Sequence, residues 1–119
     1  MSTTTAFDVD AFVKSIEGRD AETQIGLYAE DAVVTTVDHE HPPSKPDVVR
    51  GREQVAAQLR DVLGRDMTHE VSDVVLTGDA LAYRIDCRYP DGTRVACHAI
   101  ARIRDGKIVS QHGVQAWDH

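Results

Sequence analysis

The feature that most constrains the fold is a run of alternating apolar and polar residues between positions 81 and 117. It reads LAYRIDCRYPDGTRVACHAIARIRDGKIVSQHGVQAW, and two Asp-Gly pairs divide it into three segments of similar length. Alternation with a period of two is typical of a strand that has one face against a core. The pattern therefore predicts three strands joined by two short turns.

The two turns determine which side chains share a face, because a register slip of one residue sends every side chain to the other side of the sheet. Three-residue loops ending at Gly92 and Gly106 would each be a type I turn followed by a glycine in the left-handed conformation. We favour this interpretation because both hairpins then follow one rule, and it puts Ala99 opposite Gln111. A two-residue second turn is the alternative, and it would put Ala99 opposite His112.

With three-residue loops, one face of the sheet is apolar, is lined by small residues at its centre and carries two amides. Its members are Tyr83, Ile85, Cys87, Val95, Cys97, Ala99, Gln111, Gly113, Gln115 and Trp117. Small residues at the centre of a face leave space that helices, a ligand or both must fill. A buried amide without a partner costs about 1 to 3 kcal/mol, so Gln111 and Gln115 should bond to a neighbour, a water or a ligand.

Length and charge restrict the class of protein. A chain of 119 residues can form one domain with a real core, and we expect a flexible N-terminus over residues 1–6 and one domain over residues 7–119. The net charge of −7 opposes binding to nucleic acid or to an anionic membrane. No segment resembles a membrane span or a signal peptide, so we expect a cytoplasmic protein with Cys87 and Cys97 as buried thiols.

The N-terminal half of the chain predicts three helices. Apolar residues recur at helical spacing over residues 7–17, and Gly18 is well placed to end that helix. Asp20 can cap a second short helix, whose buried side we assign to apolar residues within the range 25–29. A third helix is predicted over residues 51–63.

Two further strands and one long loop complete the pattern. Residues 32–38 are rich in β-branched side chains, which predicts a strand with Thr36 and Asp38 on the same face, and residues 69–77 predict another strand. Closely spaced prolines exclude regular structure from residues 39–50, and a loop of this length is typical of a lid or a binding loop. The order of elements indicates an α+β fold with the helices on one side of a curved sheet.

This order resembles the nuclear transport factor 2-like superfamily and, within it, the SnoaL-like group. The motifs that carry the resemblance are LYAEDAVV, RGREQVAAQL and IRDGKIVSQHGVQAWD, and it covers residues 7–118. It implies a cone-shaped, curved, mixed sheet wrapped around three helices, with a single cavity. The scaffold is shared by ketosteroid isomerases, polyketide cyclases, dehydratases, epoxide hydrolases and non-catalytic binding modules.

The resemblance also implies where the catalytic residues of known enzymes would fall. The ketosteroid isomerase pattern has a tyrosine on the first helix, an aspartate base on the first strand and an acid on the penultimate strand. These positions are Phe12, Thr36 and Ala99 here. The cyclase pattern of a histidine and an aspartate on the last two strands falls on Ala99 and Gly113. Neither set of acids and bases is present, so an enzyme of this fold would use other residues.

Asp38 is the best candidate for a general base. It lies two residues beyond Thr36, so it should face the same cavity nearer the rim, where an apolar wall would raise its pKa. The alternative is an aspartate that caps a strand end. His41 in the following loop and His69 at the next strand start are the candidate acids or orienting groups, although His69 is alternatively a polar strand start.

Asp38, His39 and His41 also have side chains of the types that bind zinc or iron. No second matched pair occurs elsewhere in the sequence, and solvated loop histidines ahead of prolines are commoner than metal ligands. We therefore predict no metal and no other cofactor. A metal-assisted enzyme centred on these three residues is the weakest of the alternatives.

The candidate substrate-binding residues all belong to the predicted inward faces. They are Thr36, Tyr83, Cys97, Ala99, Gln111, Gln115 and Trp117. We predict that they bind a small, partly apolar organic molecule for acid/base chemistry of isomerase, cyclase or dehydratase type. Tyr83 and Gln115 would stabilise a developing oxyanion. A non-catalytic binding protein with the same cavity is the alternative.

The outer face of the sheet predicts a homodimer. His98 and His112 are expected opposite each other there, among the apolar side chains of Ile100 and Val114. A mixed surface of this kind is suited to pairing with its symmetry mate.

Overall fold

Three helices and six strands form within residues 6–118, the part of the chain that the computed structural model describes. In chain order they are α1 (Val9–Glu17), α2 (Ala21–Ile25), β1 (Tyr28–Val37), β2 (Asp47–Arg50), α3 (Arg52–Gly64), β3 (Thr68–Leu76), β4 (Ala80–Arg88), β5 (Arg94–Arg104) and β6 (Lys107–Trp117). The sheet order is β2-β1-β6-β5-β4-β3. Strands β1 and β6 are parallel and the other neighbours are antiparallel. This mixed sheet confirms the predicted α+β class, while the expected flexible segment lies almost wholly outside the described residues.

Aspartates begin the first two helices. Asp8 accepts a hydrogen bond from the N–H of Ala11, and Asp20 accepts one from the N–H of Thr23. These bonds satisfy donors that the start of a helix leaves free. None of the helices within residues 6–118 is long and apolar enough to cross a membrane.

The predicted second helix is too long. It ends at Ile25, and Tyr28 already belongs to β1. The C=O of Leu27 accepts a hydrogen bond of 2.9 Å from the N–H of Ile108, and Tyr28 lies opposite Ile108 in the parallel pair. Pairing with a strand 80 residues away along the chain therefore overrides the local helical pattern.

The prediction that residues 39–50 lack regular structure is wrong at their C-terminal end. After Pro46, the segment Asp47–Arg50 pairs antiparallel with β1 and forms an edge of the sheet. The segment Asp47–Arg50 itself contains no proline, so all its backbone N–H groups can donate. The irregular loop is consequently confined to residues 38–46.

The first hairpin has the predicted register. The N–H of Tyr89 donates to the C=O of Thr93 at 2.9 Å, and Ile85 lies opposite Cys97. Gly92 has a φ of 92°, which places it in the left-handed region that the three-residue loop requires.

The second hairpin differs from the favoured prediction. Asp105 and Gly106, with φ of 53° and 75°, form a two-residue turn, and a bulge at Val109 follows in β6. The shorter turn and the bulge each move the register by one residue, so Ala99 lies opposite Gly113 instead of Gln111 or His112. Because the total shift is two residues, every side chain of β6 beyond the bulge keeps the face that was predicted.

The register shift also changes the predicted pairing of residues on the outer face of the sheet. His98 lies opposite Val114, and Ile100 lies opposite His112, so the two histidines are not direct partners.

On the inner side the largest fully buried side chains pack between the sheet and the helices. They are Phe12, Ser15, Ile16, Tyr28, Val55, Leu81 and Ile108.

Candidate functional site

A cavity of about 380 Å³ lies between the helices and the inner face of the sheet. It is lined by the predicted catalytic residues Asp38, His41 and His69 and by the predicted binding residues Thr36, Tyr83, Cys97, Ala99, Gln111, Gln115 and Trp117. Its volume falls within the range of small-molecule sites, and most of its wall is apolar. The alternation of the strands brings these residues together from β1, β3, β4, β5 and β6.

The turn that follows β1 contains a carboxylate oxygen that takes part in three hydrogen bonds. Asp38 Oδ1 accepts hydrogen bonds from the backbone N–H groups of Glu40 and His41, at 2.9 and 2.8 Å, and lies 2.9 Å from His41 Nδ1. The Asp38 side chain is 17% exposed and the His41 side chain 42%, which places the pair at the cavity rim. The loop backbone thus fixes the carboxylate, and the carboxylate fixes the imidazole.

The expected rise in the pKa of Asp38 is wrong. Burial does raise the pKa of this carboxyl, but the hydrogen bonds from the His41 ring and from the N–H groups of Glu40 and His41 outweigh burial, and the net shift is downward. The same carboxylate raises the pKa of His41 through its hydrogen bond. The member of this pair that titrates nearer neutral pH is therefore His41, and Asp38 is its anionic partner.

Of the three candidate metal ligands, His39 has different partners from the other two. The ring of His39 packs on Trp117 at a centroid distance of 4.8 Å, and its Nε2 lies 3.4 Å from Glu40. His41 pairs with Asp38 instead. Across residues 6–118, no three His, Cys, Asp or Glu side chains are placed to share a metal ion. The metal-assisted alternative thus has no donor set in this part of the chain.

Deeper in the cavity lies a buried chain of polar side chains that the sequence does not predict. The Tyr28 hydroxyl donates to Gln111 Oε1 at 2.8 Å and also hydrogen-bonds to the Gln24 side chain. Burial raises the pKa of Tyr28 to about 12, so the phenol stays protonated. Gln24 Oε1 is buried and has no hydrogen-bond partner within residues 6–118. The available signal was the even spacing of Tyr28 with the inward residues of β1, which the overlong helix concealed.

Tyr83 and Gln115 present hydrogen-bond donors to the cavity. Burial, together with the neighbouring Tyr28 and Cys97, raises the pKa of Tyr83 well above its usual value, so its hydroxyl keeps its proton. That hydroxyl is not hydrogen-bonded to any residue in the described range 6–118. Gln115 Oε1 accepts a hydrogen bond of 3.1 Å from the Trp117 indole, which leaves the amide NH₂ to donate.

His69 is buried in the wall, at the second position of β3. It is 8% exposed, and its Nδ1 lies 3.2 Å from the sulfur of Cys87. The neighbouring Cys97 thiol and the His69 ring lower the pKa of the Cys87 thiol against the opposing effect of burial, while the pKa of Cys97 is raised. Alternation predicts Cys87 on the inward face, but Cys87 is not among the predicted site residues.

The family model of the SnoaL-like domain matches residues 9–111 of this chain. No curated protein is significantly similar to it. Among solved structures, an NTF2-like protein of unknown function from Mesorhizobium loti is 19% identical, with a TM-score of 0.80 over 91% of this chain and 87% of that one.

Two other similar structures come from proteins with a proposed activity. A proposed ketosteroid isomerase from Kribbella flavida is 18% identical, with a TM-score of 0.73 over 93% of this chain and 75% of that one. IdmH, a proposed polyketide cyclase from Streptomyces antibioticus, is 29% identical, with a TM-score of 0.66 over 90% of this chain and 88% of that one. These likenesses confirm the predicted fold.

Proposed function

This chain belongs to the SnoaL-like domain family, and from that premise we propose that its cavity binds a small, partly apolar organic molecule and acts on it by acid/base chemistry. The reaction class is isomerisation, cyclisation or dehydration. The observation that carries the proposal is the hydrogen bond of 2.9 Å between His41 and Asp38 at the rim of a cavity whose wall is mostly apolar. The likeness to IdmH supports the same class.

Five polar residues of the cavity have a role in this proposal. His41 accepts a proton from the carbon next to a ligand carbonyl, and Asp38 orients the ring and stabilises the imidazolium that forms. Tyr83 and Gln115 donate hydrogen bonds to the oxygen on which negative charge develops. The sequence favours Asp38 as the base, but the lowered pKa of Asp38 supports His41 as the base and Asp38 as the orienting group. His69 is the candidate for a second proton-transfer group.

Proton exchange in D₂O tests this function without knowledge of the natural substrate. Small cyclic ketones such as cyclohexanone would be incubated with the protein, and deuterium at the α-carbon would be measured by mass spectrometry. We expect the protein to accelerate exchange, and we expect Asp38→Asn and His41→Gln to reduce the acceleration by about 100-fold. His112→Gln, on the outer face, is the matched control. Equal exchange by wild type and both rim variants would refute the proposal.

A non-catalytic binding protein is the second candidate, and two observations favour it. Phe12, at the tyrosine position of the isomerase pattern, packs edge-on against Tyr83 at a centroid distance of 5.0 Å and carries no hydroxyl. Asp38 Oδ1 is already committed to three hydrogen bonds. Ligand binding that quenches Trp117 fluorescence, with no exchange above the buffer rate for any ketone, would support this candidate.

We also propose that the protein is a homodimer that pairs through the outer face of the sheet. Ile100 and Val114 are 55% and 58% exposed there, on neighbouring central strands. The net charge of −7 argues against nucleic acid or an anionic membrane as partner. The free thiols of Cys87 and Cys97 support a reducing, cytoplasmic location.

A further inference from the structure

Three cavity residues, His69, Cys87 and Cys97, form a cluster. The acid/base proposal uses His69 alone and gives no role to the cluster as a whole. We refer to them as the thiol–imidazole cluster. They come from three adjacent strands, with His69 opposite Cys87 across the β3–β4 pair and Cys97 diagonal to Cys87 across the β4–β5 pair. His69 Nδ1 and Cys87 Sγ are 3.2 Å apart, and the two residues are each 8% exposed.

His69 uses only one of its ring nitrogens within the described residues. Nδ1 contacts the Cys87 thiol, whereas Nε2 is buried and has no partner among residues 6–118. A structural histidine at this depth normally satisfies both nitrogens, because an unpaired buried polar atom costs free energy. His69 lines the cavity, and a polar molecule bound there would supply the partner that this nitrogen lacks.

We propose that Cys87 is a nucleophile that adds reversibly to an α,β-unsaturated carbonyl compound in the cavity, with His69 as its proton carrier. The proposal rests on the proposed function in one respect, that the cavity admits a small carbonyl compound. A thiol next to an imidazole is the arrangement by which proteins activate sulfur. An unsaturated carbonyl is a soft electrophile of the size and polarity that this cavity suits.

The step conserves atoms and electrons without an oxidant. The Cys87 S–H proton passes to His69 Nδ1, and the sulfur lone pair forms a C–S bond to the β-carbon of the ligand. The π electrons of the C=C bond move to give an enolate, whose oxygen accepts a hydrogen bond from Tyr83. His69 then returns the proton to the α-carbon, so one S–H and one π bond are replaced by one C–S and one C–H bond. The reverse steps release the ligand.

The surroundings distinguish Cys87 from Cys97. The titratable groups around Cys87 are His69 on β3, Cys97 on β5, Asp86 on its own strand and Tyr89 just beyond it. The neighbouring Cys97 and His69 lower the pKa of the Cys87 thiol, whereas burial and Asp86 oppose them. The neighbouring Cys87 and burial raise the pKa of the Cys97 thiol. Cys87, whose sulfur lies 3.2 Å from His69 Nδ1, is therefore the nucleophile, and Cys97 is a positioning residue.

Alkylation by 2-cyclohexenone tests the assignment on the reduced, full-length protein. Intact mass and peptide mapping would give the modified residue, and cyclohexanone binding, followed by Trp117 fluorescence, would report entry into the cavity separately. We expect one adduct, on Cys87, that forms in wild type and is lost in Cys87→Ala, while Cys97 stays unmodified in both. Between about pH 7.5 and 5.5 the rate should fall far less than that of glutathione, an ordinary thiol, which should fall about 100-fold.

The His69→Asn variant distinguishes a role in proton transfer from a merely structural role. It should slow alkylation of Cys87 by about tenfold or more at low pH, with a steeper pH dependence, because the thiol loses its proton acceptor. Circular dichroism and the fluorescence of Trp117 would verify that each variant is folded. Adduct on Cys97, or an unchanged pH profile in His69→Asn, would overturn the inference.

The failures of the two proposals are separable. If cyclohexanone binds but cyclohexenone leaves Cys87 unmodified, the nucleophile assignment is wrong and the cavity proposal stands. If cyclohexanone does not bind and no adduct forms, both are wrong. Reaction of both thiols in denaturant would verify that the reagent was active.

Discussion

Asp38 and His41 lie in the same turn at the end of β1, and each changes the acidity of the other. The pKa of Asp38 is lowered from its usual 3.8, so its stabilising contribution is present above that value and is lost as pH falls through the lowered pKa. The pKa of His41 is raised from 6.5, so its contribution is present below that value and is lost as pH rises through the raised pKa. The charged pair is complete between these two limits, which include mildly acidic pH.

Replacement of Asp38 by asparagine should therefore lower the pKa of His41 toward its usual value, because it removes the carboxylate charge that strengthens the hydrogen bond to the protonated ring. An NMR titration of the His41 ring protons measures this directly. Glu40→Gln is the matched control: it removes a neighbouring charge that makes no hydrogen bond to His41, so the decrease should be smaller. A His41 pKa that is equal in wild type and Asp38→Asn would show that the pair does not form in solution.

Residues also show where prediction from the sequence ends. The inward faces of β4, β5 and β6 follow from alternation alone, so Tyr83, Cys97 and Gln115 were found as cavity residues. The hydrogen bonds of Tyr28 to Gln111 and of His69 to Cys87 join residues 83 and 18 positions apart. Contacts of this kind depend on register and strand order, which the local pattern does not contain.

At the level of elements, the two hairpins show which features the turn residues determine and which features the pairing with other strands determines. Pro90 and Gly92 suit a three-residue loop, and that loop forms. The second turn has the same Asp-Gly pair but closes around two residues, followed by the bulge at Val109. The β1–β6 pair also shifts its register between Tyr28 and Val33, beside that bulge. The irregularity is thus shared with a parallel neighbour, which local sequence does not reveal.

The two-residue turn predicts a specific sensitivity at Gly106. Gly106→Ala should lower the free energy of unfolding by about 1 to 2 kcal/mol, because the φ of 75° is costly for a residue with a Cβ. Gly78→Ala is the control, since Gly78 is not at positive φ and has open space around its Cβ position. Its unfolding free energy should be unchanged or higher by less than about 1 kcal/mol.

Urea unfolding at constant slope gives both values. An equal effect of the two substitutions would show that Gly106 does not require a positive φ in solution. Asp105 also has a positive φ, of 53°, which aspartate tolerates better than most residues, so this position should be less sensitive than Gly106.

For the whole molecule, the fold is predictable because several independent sequence patterns indicate it. The chemistry is not predictable in the same way, because it depends on single residues that depart from the pattern of known enzymes. Alternating strands, aspartate caps and the SnoaL-like motifs all indicate the same α+β architecture. The usual acid/base positions hold Phe12, Thr36 and Ala99 instead, so the site must be inferred from what surrounds the cavity. The candidates that emerge, the Asp38–His41 pair and the thiol–imidazole cluster, both lie in that one cavity wall.

The outer face of the same sheet gives the prediction for assembly. Val114→Glu should convert the proposed dimer to monomer, because a two-fold interface would bury the new charge in both copies without a partner. The dimer Kd should rise by about 100-fold or more, measured by sedimentation velocity over a dilution series. Val75→Glu is the matched control, since Val75 is 59% exposed against 58% for Val114 but lies on the edge strand β3. A wild-type protein that sediments as a monomer would refute the dimer, and equal dissociation of both variants would place the interface elsewhere on the surface.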